Sequence, residues 1–231
     1  MTDGARETDG PRREPAAFFD AIAGRYERAY ALPSAESRRR MERVLRALPT
    51  APARVLDLGV GTGRELTALL DAGHSPTGLD ASQAMLERCS RRARPVPVVL
   101  ADFWRTPLPF DPGAFDAAIA LHGTLAHPPE GRSLGKLAHE LARIVRKGGV
   151  FVAEVPSPAW LERLAAAPPD ADRRARRTGP RTGVYEDLVT GASIDVAVFD
   201  EAEWRAALAA DWRARVESID ELEWLVIADR L

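Results

Sequence analysis

The chain has 231 residues, of which 45% are hydrophobic and 29% are charged, a composition typical of one globular α/β domain. Its formal net charge of −2 argues against a basic surface that binds nucleic acid or an anionic membrane. The single cysteine, Cys89, excludes an intrachain disulfide and a zinc site built from cysteines. The sequence shows neither a membrane-spanning run of ~20 apolar residues nor a secretory signal, so we expect a cytoplasmic protein without membrane contact.

The N-terminal part divides into a polar tail and a helical segment. Residues 1–15 carry glycine, proline and charges of both signs, and we expect them to be disordered. Apolar residues then recur at helical spacing over residues 16–30 and again over about 35–48, after which two prolines end the pattern. The sequence therefore predicts a helical cap over residues 16–48.

Five short apolar runs alternate with helical patterns between residues 50 and 156. The runs are RVLDLG, SPTGLD, VPVVLADF, FDAAIALHG and GVFVAEV. Nearly continuous apolar strands that alternate with helices are typical of a parallel sheet covered on both faces. We therefore expect a doubly wound α/β core over residues 50–156.

The pattern changes in the C-terminal third of the chain. Residues 168–183 are polar and rich in arginine, which favours a loop. Alternating apolar residues around a Thr-Gly turn predict a β-hairpin over residues 184–199, and a short helix and two more strands follow. We expect a single domain over residues 16–231 with this hairpin as an insertion.

The stretch VLDLGVGTGR places three glycines at every second position after Asp57. Glycine permits positive φ and a close approach of the backbone to a ligand, and ligands of doubly wound sheets lie beyond the carboxyl ends of the strands. Gly59, Gly61 and Gly63 therefore predict a cofactor site at the first strand–helix turn. A dinucleotide loop needs its third glycine where Arg64 stands. A carboxylate at Asp57 suits an ammonium or a sulfonium better than a pyrophosphate.

This stretch resembles motif I of the class I S-adenosylmethionine-dependent methyltransferases of the small-molecule type, and two later acids match further landmarks of that family. That motif is D/E-x-G-x-G-x-G, and all four of its positions are filled. The family has an acid at the end of the second strand, matched by Asp80 in TGLD, and another after the third strand, matched by Asp102 beside Phe103. The resemblance covers about residues 50–156, and FFDAIAGRYERAY is similar to the lid helix of small-molecule members.

The resemblance implies a Rossmann-like, mostly parallel sheet of seven strands and S-adenosylmethionine as the cofactor. Asp80 would bind the ribose diol and Asp102 the adenine amino group, while Tyr26 would close over the methionine end. For Phe103, core packing is an equally simple interpretation. Met85 lies on a helical stripe, which favours core packing over a contact with adenine. The cofactor-binding residues expected on this basis are Tyr26, Asp57, Gly59, Gly61, Gly63, Asp80, Ala81, Met85, Asp102, Phe103 and Leu121.

Methyl transfer from a sulfonium depends on holding the reacting groups in line and requires neither a metal nor a covalent intermediate. A protonated acceptor also needs a base near neutral pH. His122 and His127 follow the fourth strand and are the candidates, although either could be a polar loop residue bonded to backbone. We expect a small-molecule acceptor, because the sequence shows no dedicated macromolecule-binding domain. LHGT stands in place of the N/D-P-P-Y/F tetrapeptide of nucleic-acid and protein-amine methyltransferases, which argues against methylation of a base N6 or of glutamine.

Other interpretations remain open at this point. The arginine-rich segment lacks the interleaved aromatic residues that stack on bases, so we expect a solvated loop and no nucleic-acid partner. A non-catalytic S-adenosylmethionine-binding module would lack a usable acceptor pocket, and an NAD-dependent oxidoreductase is disfavoured by Arg64. Cys89 lies at helical spacing from Met85, which favours a buried structural thiol. The sequence does not distinguish a monomer from a homodimer.

Overall fold

The computed structural model describes residues 14–31, 33–92, 94–168 and 172–231. Most of the expected disordered tail lies outside these ranges. Pro15, which the sequence assigns to the tail, instead begins the first helix. None of the helices in the described ranges combines the length and the apolar character that crossing a bilayer requires.

Helices and strands alternate along most of the chain. The helices are α1 (Pro15–Ile22), α2 (Tyr26–Ala29), α3 (Ser34–Ala47), α4 (Leu66–Asp71), α5 (Gln83–Cys89), α6 (Leu134–Ile144), α7 (Pro158–Ala166) and α8 (Glu201–Leu208). The strands are β1 (Arg54–Leu58), β2 (Ser75–Asp80), β3 (Val98–Leu100), β4 (Phe115–Ala120), β5 (Val145–Pro156), β6 (Arg173–Arg177), β7 (Thr182–Asp187), β8 (Ala192–Ala197), β9 (Trp212–Ser218) and β10 (Glu223–Arg230).

Seven of these strands form one sheet in the order β3-β2-β1-β4-β5-β10-β9. The first five strands pair in parallel, whereas β10 runs antiparallel to both β5 and β9. The predicted Rossmann-like, mostly parallel sheet of seven strands is therefore confirmed. The chain reverses its direction of winding between β1 and β4, and ligands of doubly wound sheets bind at this switch point.

The two faces of the sheet explain why its central strands β1, β4 and β5 are largely apolar. Val55 and Ile119 point to a core that includes α3, α4 and α5, whereas Leu56 and Ala118 point to a second core that includes α6 and α8. Because successive side chains of a strand point to opposite faces, a sheet covered on both sides needs apolar residues at every position. Cys89 belongs to the first core and is buried, as expected.

The inserted segment forms a second, antiparallel sheet in the order β6-β7-β8. Strands β7 and β8 are the predicted hairpin. The prediction of a loop over residues 168–183 is wrong for β6, which pairs with β7 and places Ala175 opposite Tyr185. Arg174 on β6 forms an ion pair with Glu186 on β7 at 2.7 Å. The arginines of β6 thus sit in a strand, and the composition alone does not reveal the carboxylate across the ladder.

The first part of the N-terminal cap contains two helices, α1 and α2, where the sequence predicts one over residues 16–30. A turn at residues 23–25 separates α1 from α2. Phe18 and Ile22 of α1 pack against Ile194 of β8 and Met85 of α5. The cap thereby connects the inserted sheet to the core of the domain.

Candidate active site

A cavity of about 380 Å³ lies beyond the carboxyl ends of β1, β2 and β4, beneath the cap and the inserted sheet. Most residues that the sequence predicts for the site line it: Tyr26, Gly59, Gly61, Asp80, Ala81, Met85, Asp102, Phe103, His122 and His127. Asp57, Gly63 and Leu121 are not among its lining residues; Leu121 lines a second cavity of about 320 Å³ under α3. Ten of the thirteen residues that the sequence predicts for the site therefore line one cavity.

The three glycines of the loop are required for different reasons, although all three have positive φ. A Cβ at Gly59 would lie 2.5 Å from Cγ2 of Thr124, and a Cβ at Gly63 would lie 2.7 Å from Sγ of Cys89. At Gly61, which lines the cavity, the nearest atom to a Cβ is 3.9 Å away. Gly59 and Gly63 therefore allow close packing, while Gly61 leaves open space on the ligand side.

Asp80 is the last residue of β2, and backbone hydrogen bonds orient both of its carboxylate oxygens. Oδ2 accepts a hydrogen bond from the backbone N–H of Gly61 at 2.8 Å, and Oδ1 accepts one from the N–H of Ser82 at 2.8 Å. Burial raises the pKa of Asp80, although these backbone hydrogen bonds oppose the shift. Each oxygen keeps a further lone pair, which suits two neighbouring hydroxyl donors.

Asp57 is buried at the end of β1, directly before the glycine loop. Its Oδ2 has no hydrogen-bond partner among the residues that the structure describes. Burial raises its pKa well above the usual value, and the negative charges of Glu65 and Asp80 add to that shift. An unpaired buried carboxylate oxygen is costly, so this position suits a ligand that brings a donor or a positive charge.

Asp102 lies in the turn after β3, and its carboxylate accepts hydrogen bonds from the residues that follow it. Oδ1 accepts from the N–H of Trp104 at 2.9 Å, and Oδ2 pairs with Nε of Arg105 at 3.1 Å. Phe103 and Trp104 are both at least nine-tenths buried in the core, yet both also line the cavity. Their roles in packing and in contacting a ligand are therefore compatible.

His122 adopts a left-handed backbone conformation, with φ of 54°. Its Nε2 lies 2.5 Å from Oε1 of Glu65, the residue that precedes α4. Because an ionised carboxylate only accepts, His122 donates through Nε2, and that nitrogen is unavailable as a base. Sequence reasoning did not single out Glu65, whose only signal is its position just after the glycine loop.

His127 is held in a different way. Its Nδ1 lies 2.9 Å from the carbonyl oxygen of Asp195 on β8, and its ring packs against the edge of Phe19. A carbonyl oxygen only accepts, so Nδ1 carries the proton and Nε2 of the neutral ring has a free lone pair. Burial lowers the pKa of His127, although the hydrogen bond to Asp195 opposes the shift.

The cap contributes a cluster of aromatic side chains to the cavity. Burial raises the pKa of Tyr26 to about 12, and the guanidinium of Arg64 lies 5.7 Å from the centre of its ring. The hydroxyl of Tyr30 donates to that of Tyr185 on β7 at 3.0 Å. Trp160 of α7 lines the same cavity. An acceptor in this part of the cavity would lie among aromatic rings.

Sequence reasoning missed a charged cluster on another part of the cavity wall. Glu154 of β5 is buried and forms an ion pair with Arg40 of α3, which also pairs with Glu223 of β10. All three residues line the cavity. An acid inside the apolar run GVFVAEV is the one local signal that could have identified this cluster, because buried acids are rare unless paired.

Three polar side chains of the cap bind segments around the cavity. Asp20 accepts from the hydroxyl of Ser82 at 2.6 Å, next to Asp80. Glu27 accepts from the hydroxyl of Thr62, inside the glycine loop. The guanidinium of Arg25 binds the carboxylates of Asp187 and Asp172 in and beside the inserted sheet. The contacts of Asp20 and Glu27 connect the cap to the segments that border the predicted cofactor site.

The sequence of this chain is similar to one protein family and to several curated proteins. Residues 55–149 match the family described as "Methyltransferase domain". The demethylmenaquinone methyltransferase of Beutenbergia cavernae is 34% identical over 157 residues, which are 67% of this chain and 63% of that protein. The chain thus spans about three fifths of the length of the curated relatives it matches.

Two solved structures share the fold over nearly their whole length. The CcbJ methyltransferase of Streptomyces caelestis has a TM-score of 0.71 at 20% identity, covering 92% of this chain and 97% of its own. The sugar N-methyltransferase KedS8 of a Streptoalloteichus species has a TM-score of 0.69 at 23% identity, covering 100% and 98%. At this level of identity the likeness concerns the fold.

Proposed function

We propose that this chain, which belongs to the class I, Rossmann-like methyltransferase family through residues 55–149, transfers a methyl group from S-adenosylmethionine to a small-molecule acceptor. The observation that carries the proposal is Asp80, whose two oxygens are fixed by Gly61 and Ser82 at the cavity wall. Asp57 and Asp102 stand at the ends of the two strands closest to β2 in the sheet. A nucleoside with a cationic tail fits these three acids.

The residues present suit this cofactor on two structural grounds. Oδ2 of Asp57 is buried without a partner within the described ranges, and the space beside Gly61 is open. We assign the ribose to Asp80, the adenine to Asp102 with Phe103, and the region near the sulfur to His122, which lines the main cavity where Leu121 does not. When bound, S-adenosylmethionine supplies a methyl group on a sulfonium, which is already a strong electrophile.

The chain's own contribution is positioning, exclusion of water and proton removal. Holding the acceptor in line with the methyl carbon supplies much of the rate, because oriented groups react at high effective concentration. The cap helices and the inserted sheet cover the cavity and keep water out. We assign the role of base to His127, whose Nε2 would accept the proton of a hydroxyl or amine acceptor. His122 would instead orient Glu65 and the loop after β4.

The alternative of a non-catalytic binding module predicts an acceptor pocket filled by Trp104 or Tyr185. Both side chains line the wall of the cavity and leave about 380 Å³ open. This favours an enzyme. An NAD-dependent oxidoreductase is disfavoured because Asp57 would lie beside a pyrophosphate and Arg64 replaces the third glycine of the dinucleotide loop.

The proposal is tested by ligand binding followed by a search for the acceptor. S-adenosylhomocysteine at ~100 times its Kd should raise the free energy of unfolding by about 2.7 kcal/mol, while NAD⁺ should leave it unchanged. A labelled-methyl assay with a metabolite extract, followed by mass spectrometry, should then identify a methylated small molecule. Stabilisation by NAD⁺ instead of S-adenosylhomocysteine would refute the proposal.

A further inference from the structure

The charged cluster on the cavity wall carries an excess of negative charge. The guanidinium of Arg40 contacts three carboxylates, those of Glu36, Glu154 and Glu223. Glu154 and Glu223 line the main cavity together with Arg40, whereas Glu36 is partly exposed and is not among the lining residues. Two anions and one cation therefore face this part of the cavity, and the cluster as a whole has one cation for three anions.

Glu154 is held near the predicted position of the transferred methyl group. It lies at the carboxyl end of β5 and is only 2% exposed. The backbone N–H of Gly123 donates to the carbonyl oxygen of Glu154 at 3.3 Å, which places this residue beside the loop after β4 that contains His122. The carboxylate of Glu154 is therefore one strand away from the switch point of the sheet, on the side away from Asp80 and Asp102.

Glu223 has an oxygen that is open to a ligand. It is the first residue of β10 and lies opposite Pro156 of β5. Its Oε2 forms an ion pair with Arg40, but no described residue donates a hydrogen bond to this buried atom. Burial raises the pKa of Glu223, and the charge of Arg40 opposes the shift. A buried carboxylate oxygen of this kind is stabilised by a ligand that brings a positively charged donor.

Aromatic side chains line the cavity together with these acids. Trp160 belongs to α7, and the N–H of Ser157 just before that helix donates to the carbonyl of Leu222 at 2.8 Å, at the start of β10. Tyr30 and Tyr185 contribute two more rings. The faces of aromatic rings attract cations, and carboxylates accept the hydrogen bonds of an ammonium. The lining therefore combines the two kinds of group that bind an organic ammonium.

We propose that Glu154 and Glu223 bind a protonated amine of the acceptor, so that the substrate is a cationic small molecule. This inference rests on the proposed function and names the chemical class of its acceptor. One added positive charge balances the two glutamates and Arg40, whereas an anionic acceptor would be repelled. Arg173 also lines the cavity, but it is exposed, so water screens its charge. While protonated, the nitrogen has no lone pair and acts as an anchor, not as the methyl acceptor.

Two probes that differ in charge test the inference. Tyramine and tyrosol share a phenol ring and a two-carbon chain, which ends in an ammonium in tyramine and in a hydroxyl in tyrosol. We would measure both Kd values by calorimetry on protein saturated with S-adenosylhomocysteine. The wild-type protein should bind tyramine at least about tenfold more tightly than tyrosol, as expected for charge-assisted hydrogen bonds. Glu223→Gln should reduce this preference to about threefold or less and change the Kd of tyrosol less than about twofold.

Glu154→Gln is a second variant, and Glu217→Gln is the matched control. Glu154→Gln should lower the preference for tyramine in the same way, and both cavity variants should still bind S-adenosylhomocysteine, which shows that they are folded. Glu217 is an exposed acid of β9 that pairs with Arg215 and does not line the cavity, so Glu217→Gln should keep the full preference.

The possible failures of the inference and of the proposed function are distinguishable. Equal affinity for the two probes, a preference for tyrosol, or binding of neither would overturn the inference, and so would an unchanged preference in Glu223→Gln. If the protein still binds S-adenosylhomocysteine, each of these results leaves the proposed function standing. A wild-type protein that does not bind S-adenosylhomocysteine would overturn both.

Discussion

The backbone N–H of Gly61 donates a hydrogen bond to Oδ2 of Asp80 over 2.8 Å, and this bond joins the glycine loop to the end of β2. The N–H of Ser82 binds the other oxygen at the same distance. The carboxylate is therefore oriented before any ligand arrives. Preorganisation of this kind lowers the entropy cost of binding.

Asp80→Ala should weaken the binding of S-adenosylhomocysteine by about 1.5–3 kcal/mol, because two charge-assisted hydrogen bonds to the ribose would be lost. Isothermal titration calorimetry measures this directly. Asp229→Ala is a suitable control, since Asp229 is an exposed acid on β10 that pairs only with Arg215 among the described contacts. Unchanged affinity in Asp80→Ala would reject the assignment of Asp80 to the ribose.

His127→Gln should lower kcat by about 10²- to 10⁴-fold and leave the affinity for S-adenosylhomocysteine unchanged. Glutamine can still donate to the carbonyl of Asp195 but cannot accept a proton. Because burial lowers the pKa of His127, the wild-type kcat should fall only at a pH below the usual histidine value of about 6.5. That acidic limb of the pH profile should be absent in the variant.

His122→Gln is the matched comparison for the assignment of the base. Its Nε2 already donates to Glu65, so the variant should keep the acidic limb of the profile even if kcat declines. If the limb disappears in His122→Gln and persists in His127→Gln, the two roles are exchanged. The acceptor found by the metabolite assay would serve as the substrate for both variants.

Asp57→Asn should make the ligand-free protein more stable at neutral pH, by on the order of 1 kcal/mol or more, while weakening cofactor binding. The pKa of Asp57 is raised in the folded state, so its contribution to stability is present below the unfolded pKa of about 3.9 and is lost as pH rises through the folded pKa. The asparagine does not ionise and avoids this loss. The difference should vanish at acidic pH, as measured by chemical denaturation between pH 3 and 8.

Asp116→Asn is a control for which we expect the opposite change in stability. The pKa of Asp116 is lowered, first by its hydrogen bond from Arg54 and also by Arg146, so its stabilising contribution is present above the unfolded pKa and is lost as pH falls through the folded pKa. Asp116→Asn should therefore be less stable than the wild type at neutral pH. If both variants changed stability in the same direction, burial would not be the cause at Asp57.

Gly59→Ala should destabilise the fold more than Gly61→Ala. Both positions have positive φ, which costs about 1–2 kcal/mol for a residue with a Cβ. At Gly59 the new methyl group would also clash with Thr124, which adds about 1–3 kcal/mol of overpacking. Thr124→Ala should recover part of the loss in the Gly59 variant and none in the Gly61 variant. Equal losses in the two single variants would contradict this steric account.

Gly61→Ala should instead act mainly on the cofactor, since its methyl group would project into open space at the cavity wall. We expect a larger loss of S-adenosylhomocysteine affinity than of unfolding free energy. Calorimetry and denaturation of the same preparation measure the two quantities side by side. A loss confined to stability would indicate that the backbone at Gly61 does not approach the ligand.

The sequence by itself determined the sheet and the position of the glycine loop. Gly59, Gly61 and Gly63 all have positive φ, and the presence of glycine at these positions predicts that conformation directly. The apolar strands record the burial of both faces of the sheet. The rule that ligands lie at the carboxyl ends of parallel strands then predicts that Asp80 and Asp102 share one edge.

Only the tertiary structure decided how the charged groups of the site are paired. Asp195 is 68 residues from His127, and Glu154 is 114 residues from Arg40, so no local pattern records these contacts. The sequence likewise did not predict strand β6, because that strand is stabilised by its pairing with β7 rather than by its own composition. Whether Asp57 and Glu223 have partners depends on which atoms the fold brings close and which it shields from water. Local sterics are encoded residue by residue, whereas desolvation and charge pairing arise only when distant segments pack together.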